Sequence, residues 1–164
     1  MTGGASDAAL FELARRAGEL LLERRQTVVV AESCTGGWLA KCLTDVPGSS
    51  KWFERGYVTY SNAAKEQDLG VARGVLDTFG AVSRETVEQM AVGALHRSGA
   101  ALALAITGVA GPDGGTPQKP VGLVWLARLR RNGEPMAVEE RFDGNREGIR
   151  HAAVATALRL IIAA

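Results

Sequence analysis

Residues 31–37, AESCTGG, put two hydroxyls, a thiol and two glycines directly after the apolar run TVVV and directly before WLAKCL, which begins a helix. A strand feeding a helix needs only a turn, and Gly36-Gly37 alone would make one. Ser33, Cys34 and Thr35 therefore stand as candidate nucleophiles or hydrogen-bonding groups, placed where the first amide N–H groups of the helix point outward. Ser33 or Thr35 is also a good helix cap, and capping and chemistry can coexist at different residues. A serine nucleophile needs a base. His96 falls at the end of one predicted helix and His151 inside another, neither at a strand end, which argues against a Ser-His-Asp triad. Cys34 lacks a placed histidine as well, and a small buried thiol is the commoner role for such a residue.

Lys65, in the run SNAAK, is the alternative base. With Asn62 as the cap of a short helix, Lys65 falls at the third helical position, where a capping box favours Glu. A cation there faces the positive end of the helix dipole, which lowers its pKa, and burial would lower it further. A neutral amine can take the proton of Ser33, as in Ser-Lys nucleophilic pairs. The competing role is an ordinary lysine on a helix surface. Tyr60 stands at the end of the run YVTY, just before this helix.

Two further segments carry candidate ligand groups. Residues 107–120, TGVAGPDGGTPQKP, match neither the G-x-x-x-x-G-K-[ST] loop nor G-x-G-x-x-G. Gly108 and Gly111 suit close approach of the backbone to a ligand, or simply a turn-rich connection. Thr107 at the head of the loop either bonds to the substrate or satisfies the loop's own backbone. Arg146 and Arg150 lie one turn apart near the start of the last helix, where positive charge is unfavourable unless an anion binds. A phosphate on this pair, or a salt bridge to a carboxylate elsewhere, would resolve the conflict. Arg128, Arg130 and Arg131 surround a hairpin tip and read as solvated charge.

These residues must be carried by an alternation of helices and strands. Residues 6–23 repeat leucine and alanine at helical spacing, with Ser6 as cap. A strand at 28–31 and a helix at 37–43 follow, the latter stopped by the turn Asp45-Val46-Pro47-Gly48. The spacing predicts a strand over 52–60, a short helix from Asn62 to Gln67, a helix over 83–97 and a wholly apolar central strand over 101–106. Strands at 121–129 and 136–142 flank Asn132-Gly133, a strong hairpin signal, and a helix over 145–162 closes the chain. The expectation is one domain over residues 1–164, a three-layer α/β/α sandwich whose mixed, mainly parallel sheet carries an antiparallel hairpin. If the strands at 28, 52 and 101 run parallel, Ser33, Tyr60, Lys65 and Thr107 converge at their carboxyl ends, where open α/β sheets bind ligands.

Composition narrows the function classes. At 164 residues the chain is long enough to bury about 70% of its unfolded surface without metal or disulfides. A net charge of +1 gives no global bias toward nucleic acid or a membrane surface. Two cysteines and two histidines are too few for a disulfide framework or a zinc site. No apolar run approaches the roughly 18 residues of a spanning helix, and the amphipathic N-terminus is unlike a signal peptide. A cytoplasmic protein in a reducing compartment is expected.

The segments AESCTGG, GYVTYSNAAKEQDLGV, GAVSRETVEQMA, AITGVAGPDGG, KPVGLVW and FDGNREGIRHAA, in this order from about residue 8 onward, resemble the CinA C-terminal domain family, the PncC-type nicotinamide mononucleotide deamidases. The resemblance implies hydrolysis of nicotinamide mononucleotide to nicotinic acid mononucleotide and ammonia, with no metal and no cofactor. It implies Ser33 as nucleophile and Lys65 as base, with Tyr60 and Thr107 as further active-site positions and Arg146 on the substrate. The family's usual acidic residue before that arginine is Asn145 here, which suits a helix cap equally well. Amide N–H groups around Thr35, Gly36 and Gly37 would stabilise the oxyanion, Arg146, Arg150 and the loop from Gly111 to Gly115 would hold the 5′-phosphate, and Gly108 is a further substrate-binding position. Longer members carry an N-terminal nucleotide-binding domain, so a stand-alone form is expected here, and a homo-oligomer, as is common for small α/β domains. The rival readings are a non-catalytic nucleotide-binding module of competence or damage-inducible type, and a Ser-Lys amidase for another small amide.

Overall fold

The structure, a computed structural model, describes the backbone from Gly3 and the side chains from Asp7 onward. The elements are α1 (Gly3–Glu23), β1 (Val28–Glu32), α2 (Trp38–Thr44), β2 (Phe53–Val58), α3 (Asn62–Leu69), α4 (Arg73–Phe79), α5 (Arg84–His96), β3 (Leu102–Gly108), β4 (Leu123–Arg130), β5 (Met136–Arg141) and α6 (Arg146–Ile162). The five strands form one sheet in the order β2-β1-β3-β4-β5. β1 pairs parallel with both β2 and β3, whereas β4 runs antiparallel to β3 and β5 antiparallel to β4.

The strand sequences explain the layering. β1 (VVVAE) and most of β3 (LALAITG) are buried on both faces, so they read as continuous apolar runs with no alternation. One face carries Val28, Val30, Leu102, Leu104, Ile106, Val124 and Leu126 and packs against α1, α2 and α6 through Leu10, Leu21, Leu39, Leu43, Ile149, Leu158 and Ile161. The other face carries Val29, Ala31, Ala103, Ala105 and Ala127 and packs against Val87, Met90, Ala91 and Ala94 of α5 and Leu69 of α3. The alanine floor lets α5 sit close to the sheet. β2 (FERGYV) lies at the edge and is largely exposed, consistent with its charged side chains.

α5 also meets α3 closely. A Cβ on Gly93 would lie 1.8 Å from the carbonyl oxygen of Leu69, so α3 reaches its seat only because that position has no side chain. The hairpin turns at Asn132, which has φ +64°, with Gly133 N–H donating to Arg130 O. Asn tolerates this left-handed conformation through its short polar side chain.

Several local expectations differ from the structure. The first helix starts at Gly3, so Ser6 lies within it, and the side chain of Ser6 is outside the described residues. α4 stands where no element was expected, with Leu76 buried against the α5 side of the core. Ser61, rather than Asn62, caps α3, its side chain accepting from Ala64 N, and Lys65 therefore falls at the fourth helical position. Arg131 is not idle charge. Its guanidinium donates to the carbonyls of Leu95, in the last turn of α5, and of Ser98 and Ala100 just beyond it, and Arg128 donates to Leu160 O in the last turn of α6. Cations there satisfy carbonyls that a helix end leaves without partners.

Candidate active site

Ser33 sits where β1 leaves the sheet. Its N–H still donates to Ile106 O of β3, at 3.0 Å, and the chain then makes two overlapping turns, with Gly36 N–H on Ser33 O at 3.0 Å and Trp38 N–H on Thr35 O at 3.1 Å. The second turn needs Gly36 and Gly37 at φ +60° and +98°, a region that strains other residues. Neither Ser33 nor Thr35 caps α2: the cap position is Gly37, with no side-chain bond. Capping is done by Glu32, whose fully buried carboxylate accepts from Thr35 Oγ1 at 2.7 Å, Leu39 N at 2.9 Å and Ala40 N at 3.0 Å. The negative carboxylate at the positive end of α2 leaves the Ser33 hydroxyl uncommitted to the helix.

Lys65 is 1% exposed. Its Nζ lies 2.9 Å from Ser33 Oγ and donates to the carbonyl of Thr59 at 2.8 Å. Burial pushes the amine down to about 8, opposed by the neighbouring Cys34. Loss of hydration favours the neutral form, and no carboxylate forms an ion pair with Lys65 among the described residues. A neutral Nζ that gives one N–H to Thr59 O keeps a lone pair for the Ser33 hydroxyl.

Ser33 and Lys65 open onto a cavity of about 290 Å³ that also takes in Cys34, Tyr60, Thr107, Gly108, Gly111, Asp113 and Arg146. Arg146 spans it, donating to Gly111 O at 2.7 Å and to the Tyr60 hydroxyl at 2.9 Å. Thr107 is buried, and its hydroxyl donates to Ala81 O at 2.8 Å, which ties the end of β3 to the chain entering α5. Burial pushes the Cys34 thiol up to about 11, which disfavours the thiolate a cysteine nucleophile requires.

The remaining candidates from the sequence lie elsewhere. Thr35, Gly36, Gly37 and Arg150 line a separate concavity of about 570 Å³ together with Phe11, Trp38 and Cys42. The Arg150 guanidinium donates to Cys34 O and Thr35 O, both at 3.0 Å, and stacks 5.4 Å over the Trp38 ring. Arg146 and Arg150 thus take different partners, although both also line a shared concavity of about 510 Å³ with Trp38, Asn145 and Glu147. Two residues were given no role by sequence reasoning: Glu32, although its type and place just before the turn were visible, and Thr59, whose contribution is a backbone carbonyl that side-chain chemistry does not announce.

A hydroxyl and a desolvated amine in contact at the carboxyl ends of parallel strands, in a cavity that an arginine also lines, place the chain among α/β domains with a polar ligand cleft at the strand ends. It belongs to the CinA C-terminal domain family, whose model matches residues 10–164. The chain is 49% identical over 156 residues to the nicotinamide-nucleotide amidohydrolase PncC of Escherichia coli strain K12, covering 95% of this chain and 94% of that protein. It is 54% identical over 147 residues to the protein of the same name from Pseudomonas putida, covering 89% and 91%. The solved structure of the competence/damage inducible protein CihA from Agrobacterium tumefaciens superposes with a TM-score of 0.92 at 52% identity, covering 94% of each chain. Among the described residues no helix is long and apolar enough to cross a membrane, and no group of three or more His, Cys, Asp or Glu is placed to hold a metal ion.

Proposed function

We propose that this protein hydrolyses the carboxamide of nicotinamide mononucleotide to nicotinic acid mononucleotide and ammonia, returning a pyridine nucleotide to NAD synthesis. The observation that carries the reading is the 2.9 Å contact between Lys65 Nζ and Ser33 Oγ inside a buried pocket. Near-full-length relatives named as nicotinamide-nucleotide amidohydrolases support the substrate.

Ser33 Oγ attacks the carboxamide carbon as Lys65 takes its proton. The carbonyl oxygen becomes an oxyanion, for which the Thr35 N–H, at the centre of the turn, is the donor we assign, whereas the Gly36 N–H is already given to Ser33 O. Collapse of the tetrahedral species breaks the C–N bond. Protonated Lys65, or the Tyr60 hydroxyl, supplies the proton with which ammonia leaves. Water then attacks the acyl-enzyme as Lys65 takes its proton, the bond from the acyl carbon to Ser33 Oγ breaks, Lys65 returns the proton to Oγ, and the acid product is released. Arg146 holds the 5′-phosphate at the rim of the cavity, with Gly108 and Gly111 letting the loop backbone approach the substrate, and Thr107 shaping the cavity wall. Arg150 does not line the cavity of Ser33 and Lys65, as Arg146 does, and is not assigned to the phosphate.

Ammonia release from nicotinamide mononucleotide by wild type, Ser33→Ala, Lys65→Ala and Arg146→Ala, with the dephosphorylated nucleoside in parallel, tests this reading. Turnover by wild type, losses of roughly 1,000-fold or more in the Ser33 and Lys65 variants and a raised KM in Arg146→Ala are expected. Binding of the mononucleotide without release would make AESCTGG a ligand loop. A nucleoside as good as the nucleotide would remove the phosphate role of Arg146.

A further inference from the structure

The main chain just after Ser33 is held from two sides by residues that do not line its cavity. On one side, Thr35 Oγ1 donates to the buried Glu32 carboxylate at 2.7 Å. On the other, the Arg150 guanidinium donates through Nε to Cys34 O and through a terminal nitrogen to Thr35 O. A guanidinium is a rigid planar fork, so two bonds from it fix direction as well as distance. The guanidinium also lies over the Trp38 ring, 5.4 Å from its centroid, a cation–π contact that adds to its anchoring.

The Cys34–Thr35 peptide is trans. In a planar trans peptide the carbonyl and the N–H point in opposite directions. With the Cys34 carbonyl turned toward Arg150, the Thr35 N–H is turned away from Arg150, and the two residues before it, Ser33 and Cys34, line the catalytic cavity. No acceptor takes the Thr35 N–H among the described residues, whereas the Gly36 N–H is used within the turn. Without the fork, this central peptide of a turn is free to flip and present an oxygen in place of a donor.

We propose that Arg150 is a positioning residue. By holding the carbonyls of Cys34 and Thr35 it aims the Thr35 N–H at the oxygen that becomes negative when Ser33 attacks an acyl carbon. The inference rests on Ser33 being the nucleophile, as set out above, and not on the identity of the amide. It gives a cation expected on the substrate a different task, one that acts through the backbone and adds nothing to substrate affinity.

The test compares wild type, Arg150→Ala and Arg150→Lys by two measurements. The first is steady-state deamidation of nicotinamide mononucleotide. The second is the rate at which a fluorophosphonate modifies Ser33, followed by intact mass: a Ser33 Oγ–P bond forms, the P–F bond breaks, fluoride leaves, the serine proton passes to Lys65, and the P=O oxygen occupies the oxyanion position. For Arg150→Ala, kcat and the labelling rate are expected to fall together by about 100-fold, the scale for loss of one oxyanion donor, with KM changed by less than about threefold. Arg150→Lys, which keeps one of the two bonds, is expected to lie between, and added guanidinium ion to restore part of the loss in Arg150→Ala. A raised KM at unchanged kcat and labelling would overturn the inference and put Arg150 on the substrate, and unchanged values throughout would overturn it as well. Losses that accompany a collapsed thermal transition and resist guanidinium would reduce Arg150 to a general structural role. Labelling that depends on Arg150 in a wild-type protein that releases no ammonia from the mononucleotide would sink the proposed substrate and leave the positioning role standing.

Discussion

Lys65 Nζ and Ser33 Oγ lie 2.9 Å apart across 32 positions of sequence, and the lysine that makes this contact is among the most deeply buried large side chains of the protein. Burying an amine without a carboxylate partner is costly. The fold accepts the cost at the residue whose neutral form can take a serine proton. The carbonyl of Thr59 completes the arrangement, since it occupies one N–H and turns the lone pair toward the hydroxyl.

The pH dependence follows from the lowered amine. With Lys65 at about 8, the active neutral form grows as pH rises, so kcat/KM should climb through pH 7 and level off above about 8. The sign for stability follows by linkage. The unfolded lysine, near 10.5, binds more protons than the folded one between about 8 and 10.5, so stability should rise with pH across that window. Lys65→Met should lose activity, lose this slope and be more stable than wild type at pH 7. Urea melts at pH 7 and pH 9.5, beside a pH-rate profile, check all three.

Glu32→Ala should be among the most damaging substitutions outside the Ser-Lys pair. It leaves the buried Thr35 hydroxyl and Leu39 amide, and the half-buried Ala40 amide, without their acceptor. Each such loss costs about 1–3 kcal/mol, so a destabilisation on the order of 3 kcal/mol is expected, with activity falling because the Ser33 turn loosens. Glu32→Gln, which keeps one acceptor oxygen but points an N–H₂ group at an amide, should fall between. Denaturant midpoints rank the three proteins, and an alanine variant as stable as wild type would refute the capping role.

Gly93→Ala tests how α3 is seated. A methyl group 1.8 Å from Leu69 O must push α3 off α5, and overpacking of this kind costs about 1–3 kcal/mol. Lys65 rides on α3, so kcat should drop as well. A control alanine at Gly74, where an added Cβ meets nothing within 4 Å, should alter neither.

Thr59→Val should be harmless or stabilising. The Thr59 hydroxyl oxygen is buried with no hydrogen-bond partner, while the carbonyl that holds Lys65 is unaffected by the side chain. Relief of an unsatisfied polar group is worth up to about 1–3 kcal/mol. A higher Tm with ammonia release unchanged is the expected result. A lower Tm would mean that a bound water serves the hydroxyl.

Much of the frame was legible because local patterns carry it. The doubly buried strands β1 and β3 read as continuous apolar runs, and α5 and α6 declare themselves through helical spacing and the caps Ser83 and Asn145. Asn132-Gly133 marked the hairpin. α4 escaped notice because its seven residues lie among glycines and charges and bury only Leu76. Ser61 and Asn62 are both good caps, and nothing local chooses between them. Arg131 looked like solvated charge because the carbonyls it serves, at the end of α5, are remote in the chain.

The sequence by itself determined which groups were available: Ser33 at a strand end before two glycines, Lys65 early in a helix, Thr107 at the head of a glycine-rich loop, and two arginines at a helix start. Periodicity and turn chemistry are local properties, and a string of residues displays them directly. Only the tertiary structure decided how the groups were shared out. Parallel pairing of β1 with β2 and β3 brought Ser33, Tyr60 and Thr107 to one sheet edge, and the seating of α3 on α5 delivered Lys65 to Ser33. The same packing gave Arg146 to Gly111 and Tyr60 and Arg150 to the carbonyls of Cys34 and Thr35, although the two lie one helical turn apart. Desolvation, close approach and the direction of a peptide depend on neighbours distant in the chain, so they exist only once the chain has folded.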